Sequence, residues 1–353
     1  MKVLLLGGTG AMGSYLGRLL SDKGTETFIT SRRERKNKGR INYIQGNAHD
    51  IAFLKTILIN KYDAIIDFMS YNTNEFNKER VNLLLDATSQ YFFISTCRVY
   101  AESEDRITED SPLLLDVCKD EKYLKTDEYA LTKARQEKLL VDTGRKNWTI
   151  IRPPKTYGKD RLQLGCLEKE DWLQRALCGK DIIFEKEIAS KILHLTNGYD
   201  LAQTMYAMIG REDAKGEAFH ITTDDYIAWS DVLDLYLDIL EKHLGKRPHV
   251  RYISLDKFKK YHNGEYQIKY SALFNRKFDN SKIAKFIDVS SFLTAQEGLK
   301  HNLEVFLENP KFNNRGRALV ARQNILLREF STKDCIVVVA SIIKRIMIKI
   351  VKK

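Results

Sequence analysis

A chain of 353 residues with 43% hydrophobic and 30% charged residues has the composition of a globular protein and enough apolar content to bury a large core, as one big domain or two tightly joined ones. No apolar run reaches 18 residues, so no spanning helix is expected. The net charge of +11 is uneven: Lys344, Arg345, Lys349, Lys352 and Lys353 supply five of the eleven excess charges within the last ten residues, which leaves a mildly basic body and weighs against nucleic acid as its partner.

Residues 2–6 read as a buried parallel strand, and Met12 to Leu20 has helical spacing. Strands are predicted at Thr25–Thr30, Ile41–Ile44, Ala64–Phe68, Tyr91–Ser95 and Trp148–Ile151. The helices between them fall at Asp50–Leu58, Lys78–Ala87 and Tyr129–Val141. Strands alternating with helices at this spacing predict an α/β fold with a doubly wound parallel sheet of the Rossmann type. Beyond Pro153-Pro154 the rhythm changes. Residues 157–190 read as irregular, His194–Met208 as a short strand leading into a helix, Ala218–Thr222 as a last sheet strand, and Ser230–Leu244 as a helix stopped by Gly245. The expected division is a dinucleotide-binding domain at 1–156, completed by about 191–223, then a smaller C-terminal substrate lobe at 157–190 and 224–330, then a tail at 331–353.

The first strand runs directly into Gly7-Gly8-Thr9-Gly10-Ala11-Met12-Gly13. A pyrophosphate at a helix N-terminus needs backbone N–H groups aimed at it and no side chain in the way, and Gly7, Gly10 and Gly13 in GxxGxxG spacing meet that need. A glycine-rich turn with no ligand is the plainer alternative. At the end of the second strand an NAD site places a carboxylate for the ribose 2′-OH. Here Ser31-Arg32-Arg33 stands instead, and arginine pairs with phosphate, so NADP is favoured, with NAD as the alternative. Asn47 and Ala48, after the third strand, are placed to edge the adenine. Phe68, Met69 and Ser70, after the fourth, are placed to run beside the cofactor, while His49 reads as an exposed loop residue.

Tyr129 and Lys133 lie four apart and share a helix face. A phenol with an ordinary pKa of about 10 is a poor base at neutral pH, and a nearby ammonium lowers it. Such a pair can exchange a proton with a hydroxyl or carbonyl while hydride moves to or from a nicotinamide. Thr96, at the end of the fifth strand, can orient the reacting oxygen, with Ser95 as the close competitor. The cysteines at 97, 118, 166, 178 and 335 form no CxxC pair, so neither metal site nor disulfide framework is expected. A reducing cytoplasm fits that usage, and the opening residues do not read as a signal peptide.

GGTGAMG (7–13), STCRVY (95–100), YALTK (129–133) and IIRPPKTYG (150–158) together resemble the extended short-chain dehydrogenase/reductase family, in its branch of sugar-nucleotide epimerases and dehydratases, over roughly residues 1–310. The resemblance implies a catalytic triad of Thr96, Tyr129 and Lys133, with Lys133 also holding the ribose. It places Arg152 to Thr156, Pro153 among them, between cofactor and a nucleotide-sugar substrate, and implies a homodimer through the helix bearing Tyr129 and that at 78–87. Asn47 where Asp is frequent and Lys155 where Asn is often seen depart from the pattern. YDAIIDFMSYN (62–72) and FDNSKIAKF (278–286) are similar to a less typical branch that includes chloroplast stem-loop RNA-binding proteins, which gives the rival reading: a catalytically idle scaffold that binds RNA.

From Cys335 on, Ile336, Val339, Ala340, Ile343, Ile346, Met347 and Ile350 fall on one side of a helical wheel and the five basic residues on the other. That pattern predicts a basic amphipathic helix suited to peripheral contact with an anionic membrane surface, at its inner face, or else docked on the protein's own core or a partner subunit, while the β-branched residues also permit a strand.

Overall fold

The computed structural model describes residues 1–262, 264–313, 317–330 and 332–351. It divides into two compact units. One comprises Met1–Gly158, Leu193–Ile227 and Asn275–Gly298, the other Lys159–Ile192, Ala228–Phe274 and Leu299–Lys353. The segment Asn275–Gly298 thus clusters with the sheet, where the sequence reading set it in the lobe 224–330.

The first unit is built on β1 (Lys2–Leu6), α1 (Gly13–Asp22), β2 (Glu26–Ser31), β3 (Ile41–Gln45), α2 (Ile51–Leu58), β4 (Tyr62–Asp67), α3 (Lys78–Asp86), β5 (Thr88–Ile94), α4 (Tyr129–Val141), β6 (Trp148–Arg152), α5 (Gly198–Met208) and β7 (Glu217–His220). The strands form one sheet in the order β7-β6-β5-β4-β1-β2-β3, every neighbouring pair parallel. β1 lies between β2 and β4, so the chain reverses its direction of travel across the sheet there. That is the switch point where ligands bind in such folds, and the glycine loop follows β1.

The apolar run of β1 is uninterrupted because both its faces are covered. Val3 and Leu5 pack with Leu16 and Leu20 of α1 and Leu201, Met205 and Met208 of α5. Leu4 and Leu6 point the other way, to Leu54 and Ile57 of α2 and Val81, Leu84 and Leu85 of α3.

In the second unit, Ile182–Glu185 pairs in parallel with Val250–Ile253, and Trp172 stacks on Tyr236 at 4.5 Å. The helix Trp229–Leu244 ends at Gly245, whose φ of 70° lies in the left-handed region that stops a helix. The stretch 157–190, expected to be irregular, holds the helix Lys169–Leu177 and the strand Ile182–Glu185. Trp172, Leu173, Ala176 and Leu177 stand at helical spacing in it, but the helix opens on Lys169, Glu170 and Asp171, which it also buries, so its apolar stripe covers only the second half. Ser331, Lys352 and Lys353 of the expected tail lie outside the described residues. Thr332–Val351 is a single helix.

Candidate active site

The glycine loop is shaped by three different demands. Gly7 has φ 67°, and a Cβ on it would lie 2.7 Å from Met69 Sδ. A Cβ on Gly13 would lie 2.5 Å from the Gly8 Cα, so the start of α1 packs directly on the loop backbone. A Cβ on Gly10 would meet nothing within 4 Å. The loop is tied to β2 by the Gly7 N–H, which donates to Thr30 Oγ1 at 2.9 Å.

Asp50, Asn77, Glu128 and Asn197 cap α2, α3, α4 and α5 with side-chain hydrogen bonds. Met12 gives α1 no such bond, and its first turn has no acid. A helix N-terminus without a side-chain acceptor, beside a glycine with open space before it, fits a bound anion such as a pyrophosphate. The residues present therefore fit a dinucleotide, with Gly7, Thr9, Gly10, Ala11, Met12 and Gly13 as its cradle.

The other expected cofactor residues lie along the same strand ends. Ser31 closes β2, and its hydroxyl donates to the Arg33 carbonyl at 2.7 Å and accepts from Arg35 Nε at 3.3 Å, so it shapes a turn that leaves Arg32 and Arg33 exposed. The Gly46 N–H donates to the Ser31 carbonyl at 2.9 Å and joins the loop after β3 to that turn. In that loop Asn47 is exposed and Ala48 buried; Arg80 donates to the carbonyls of Ala48 and His49 at 3.0 and 2.6 Å. His49 is half-buried beside Glu75 at 3.1 Å, where an exposed loop residue was expected.

After β4, Asp67 accepts from the Met69 N–H at 2.9 Å and from the Tyr91 hydroxyl at 2.8 Å, which fixes the course of Phe68, Met69 and Ser70. Burial pushes the Asp67 carboxyl up from its ordinary value, against the pull of those two hydrogen bonds and of Lys133.

Lys133 draws the parts together. Its ammonium donates to the Ile94 carbonyl at 2.8 Å and to the Met69 carbonyl at 3.3 Å, and lies 4.4 Å from the Phe93 ring centroid. It is 3% exposed. Burial pulls its pKa down to about 8, while Asp67 and Glu137 pull it up. Tyr129, one turn earlier on α4, is 40% exposed. Thr96 is buried and accepts from the Arg98 N–H at 3.2 Å. The Arg98 guanidinium lies 5.4 Å from the Tyr129 ring centroid and pairs with Glu128. Ser95, the competitor of Thr96, is 1% exposed, and its hydroxyl has no partner among the described residues. Pro153 is buried, and its carbonyl accepts from the Cys97 N–H at 2.9 Å, which sets it next to Thr96.

Sequence reasoning missed three contributors. Arg98 stands inside a quoted motif but reads there as a turn residue. Asp67 reads as an ordinary strand end. Glu137, four residues after Lys133, receives Arg152 through Nη2 at 2.7 Å and Nε at 3.2 Å, and Arg152 also donates to the Tyr100 hydroxyl at 3.0 Å. The helical spacing of Tyr129, Lys133 and Glu137 was the available signal, since all three share one stretch of α4. Among the described residues no cluster of His, Cys, Asp or Glu could hold a metal ion.

With this geometry in place, comparison with known proteins assigns the class. The model of the NAD dependent epimerase/dehydratase family matches residues 3–221, and the chain belongs to that family. It is 25% identical over 247 residues to the chloroplast stem-loop binding protein of 41 kDa b of Arabidopsis thaliana, a match covering 65% of this chain and 60% of that protein. The chain therefore spans less than two thirds of that relative's length. Its fold matches UDP-glucuronic acid 4-epimerase from Bacillus cereus, solved with NAD, at 18% identity and TM-score 0.64, over 88% of this chain and 100% of the other. It also matches the enzyme WbmH from Bordetella bronchiseptica, solved with NAD+, at 16% identity and TM-score 0.65, over 88% and 99%.

Two outcomes are expected from the site. G10V loses dinucleotide binding, measured by calorimetry, with an unchanged melting temperature. G13V, forced against backbone, loses about 1–3 kcal/mol of stability. For Lys133, the unfolded chain keeps the proton up to 10.5 and the folded chain only to about 8. The unfolded state binds more protons in that window, so stability rises with pH there. Urea denaturation at the two ends of the window is expected to show the parent gaining on K133M as pH rises; a gap that moves the other way contradicts a depressed ammonium.

Proposed function

We propose that the protein is an NAD(P)-dependent oxidoreductase or epimerase acting on a nucleotide sugar, as a 4-ketoreductase or an epimerase, with Tyr129 as general acid/base. The observation that carries this reading is the buried Lys133 ammonium, four residues from a half-exposed Tyr129 and in hydrogen-bond contact with the segment after β4. A nicotinamide bound along the glycine loop supplies the hydride chemistry. What the chain's own residues do follows from their chemistry. Lys133, still charged at neutral pH, favours the phenolate of Tyr129. Arg98, held by Glu128, lies over the Tyr129 ring and helps to position it. Thr96 spends an acceptor site on the Arg98 N–H, and its O–H is the donor that orients the substrate oxygen.

The favoured cofactor is NADP, on the exposed Arg32 and Arg33 after β2; NAD, which the two solved neighbours contain, is the alternative. A homodimer through α3 and α4, and a cytoplasmic place peripheral to the inner face of a membrane, belong to the same reading. The second reading, an idle scaffold that binds RNA, is favoured by the likeness to the chloroplast protein. The full set of Thr96, Tyr129 and Lys133 speaks against idleness.

Y129F is expected to lose turnover by about two to four orders of magnitude while dinucleotide binding persists, measured by kinetics and by calorimetry on one preparation. Full activity in that variant refutes the role of Tyr129. Replacing Arg32 and Arg33 by Ala is expected to weaken NADP by roughly tenfold or more and NAD little, in parallel titrations; unchanged selectivity counts against the NADP preference.

A further inference from the structure

The helix Thr332–Val351 packs on the helix Arg317–Leu326. The packed side carries Ser341, whose hydroxyl accepts from Arg322 at 3.3 Å. Another side is bare. Ile336, Val339, Ile343 and Met347 recur at helical spacing and are 62%, 54%, 51% and 60% exposed, with Ile342 beside them at 48%. These residues belong to the apolar face that the wheel of the sequence defines, and they are left in solvent. Exposed apolar residues scattered singly need no explanation, whereas an aligned row along one helix does. From Cys335 onward the sequence holds five Lys or Arg and no acidic residue. No helix among the described residues is long and apolar enough to cross a membrane.

We propose that the helix Thr332–Val351 is an interfacial anchor that lays the row Ile336, Val339, Ile343 and Met347 into the surface of an anionic phospholipid bilayer, its basic residues meeting the headgroups. An apolar row alone would suit a protein partner equally. The accumulation of cations from Cys335 onward, with no anion beyond Asp334 at the start of the helix, fits a surface that is itself anionic, and interfacial helices combine these two features. Helix packing through Ser341 leaves the row unobstructed, so the anchor can engage without detaching from Arg317–Leu326. Lipid binding through this helix rests on the peripheral location given above and not on the catalytic reading.

The test is flotation of the full chain with vesicles of phosphatidylcholine alone and of phosphatidylcholine mixed with phosphatidylglycerol. Binding is expected to the mixed vesicles, roughly tenfold weaker to the neutral ones and weakened by salt. The triple variant I336E/I343E/M347E is expected to lose binding by at least about tenfold with its thermal transition unchanged. If that variant misfolds, K344E/K349E keeps the apolar row and is expected to lose the preference for anionic vesicles. Equal flotation of parent and variants overturns the anchor, as does absence of the parent from the mixed vesicles. A dimer seen by sedimentation that the triple variant abolishes, without flotation of the parent, assigns the face to a second copy of the chain and also overturns it. Flotation needs no turnover, so a failed anchor and a failed catalytic reading are told apart.

Discussion

A buried ammonium has few places to go, and Lys133 is held between two backbone carbonyls at the ends of neighbouring strands, Ile94 of β5 and Met69 just beyond β4. Taking such a charge out of water is costly unless its donors are matched and opposite charge is near. The two carbonyls, the face of Phe93 and the carboxylates of Asp67 and Glu137 meet that condition. The consequence is geometric. With Lys133 pinned, the rotation of α4 about its axis is fixed, and Tyr129 one turn earlier is committed to the strand-end side of the sheet. A lysine anchored at its tip and a tyrosine half in solvent at the helix start are two ends of one rigid piece.

A second buried pair holds the same helix from the other side. Arg152, at the end of β6, donates to Glu137 through two nitrogens, and its remaining fork reaches the Tyr100 hydroxyl and the Glu109 carbonyl. Tyr100 in turn meets His220 Nδ1 at 3.2 Å at the end of β7. Burial pushes His220 down to about 4, so it is a neutral partner at physiological pH and adds no charge to the cluster. Removing one member of a pair such as Arg152–Glu137 leaves its partner's charge unmatched, at a cost of about 3–5 kcal/mol. That makes it a structural clamp: it sets the strand ends and α4 in register, while Asp67 and Tyr91 do the same one strand over.

What the sequence made legible follows from this construction. β1 could be read because a strand covered on both faces shows an unbroken apolar run, and α4 because the pair on its face has helical spacing. The end of β2 could be read as basic because nothing has to fold around Arg32 and Arg33 for them to be exposed. Lys169–Leu177 was missed, since it buries charged and apolar residues alike and its stripe of Trp172, Leu173, Ala176 and Leu177 fills only its second half. Its neighbour Ile182–Glu185 pairs with a strand that begins at Val250, and so distant a partner leaves no local sign. In the candidate site, Thr96, Tyr129 and Lys133 of the proposed triad carry their chemistry in their side chains and announce themselves. Arg98, Asp67 and Glu137 matter only through what lies against them, and a contact across tens of residues has no period to detect.

The distribution of charge bears on the choice between an enzyme and an RNA-binding scaffold. A protein that tracks a phosphate backbone neutralises it with cations spread along one face of its body, interleaved with aromatic rings for stacking. Here nearly half of the excess charge sits in the last ten residues, on the same terminal segment as an exposed aliphatic row that has no use against a polyanion in water. In the sheet-bearing unit the buried cations are committed inward: Lys133 to two carbonyls, Arg152 to Glu137, Arg80 to the loop after β3. Cations fixed inward at the strand ends beside a phenol suit the proposed site of proton transfer better than a polyanion track, and the charge left over lies on the segment proposed as a lipid anchor.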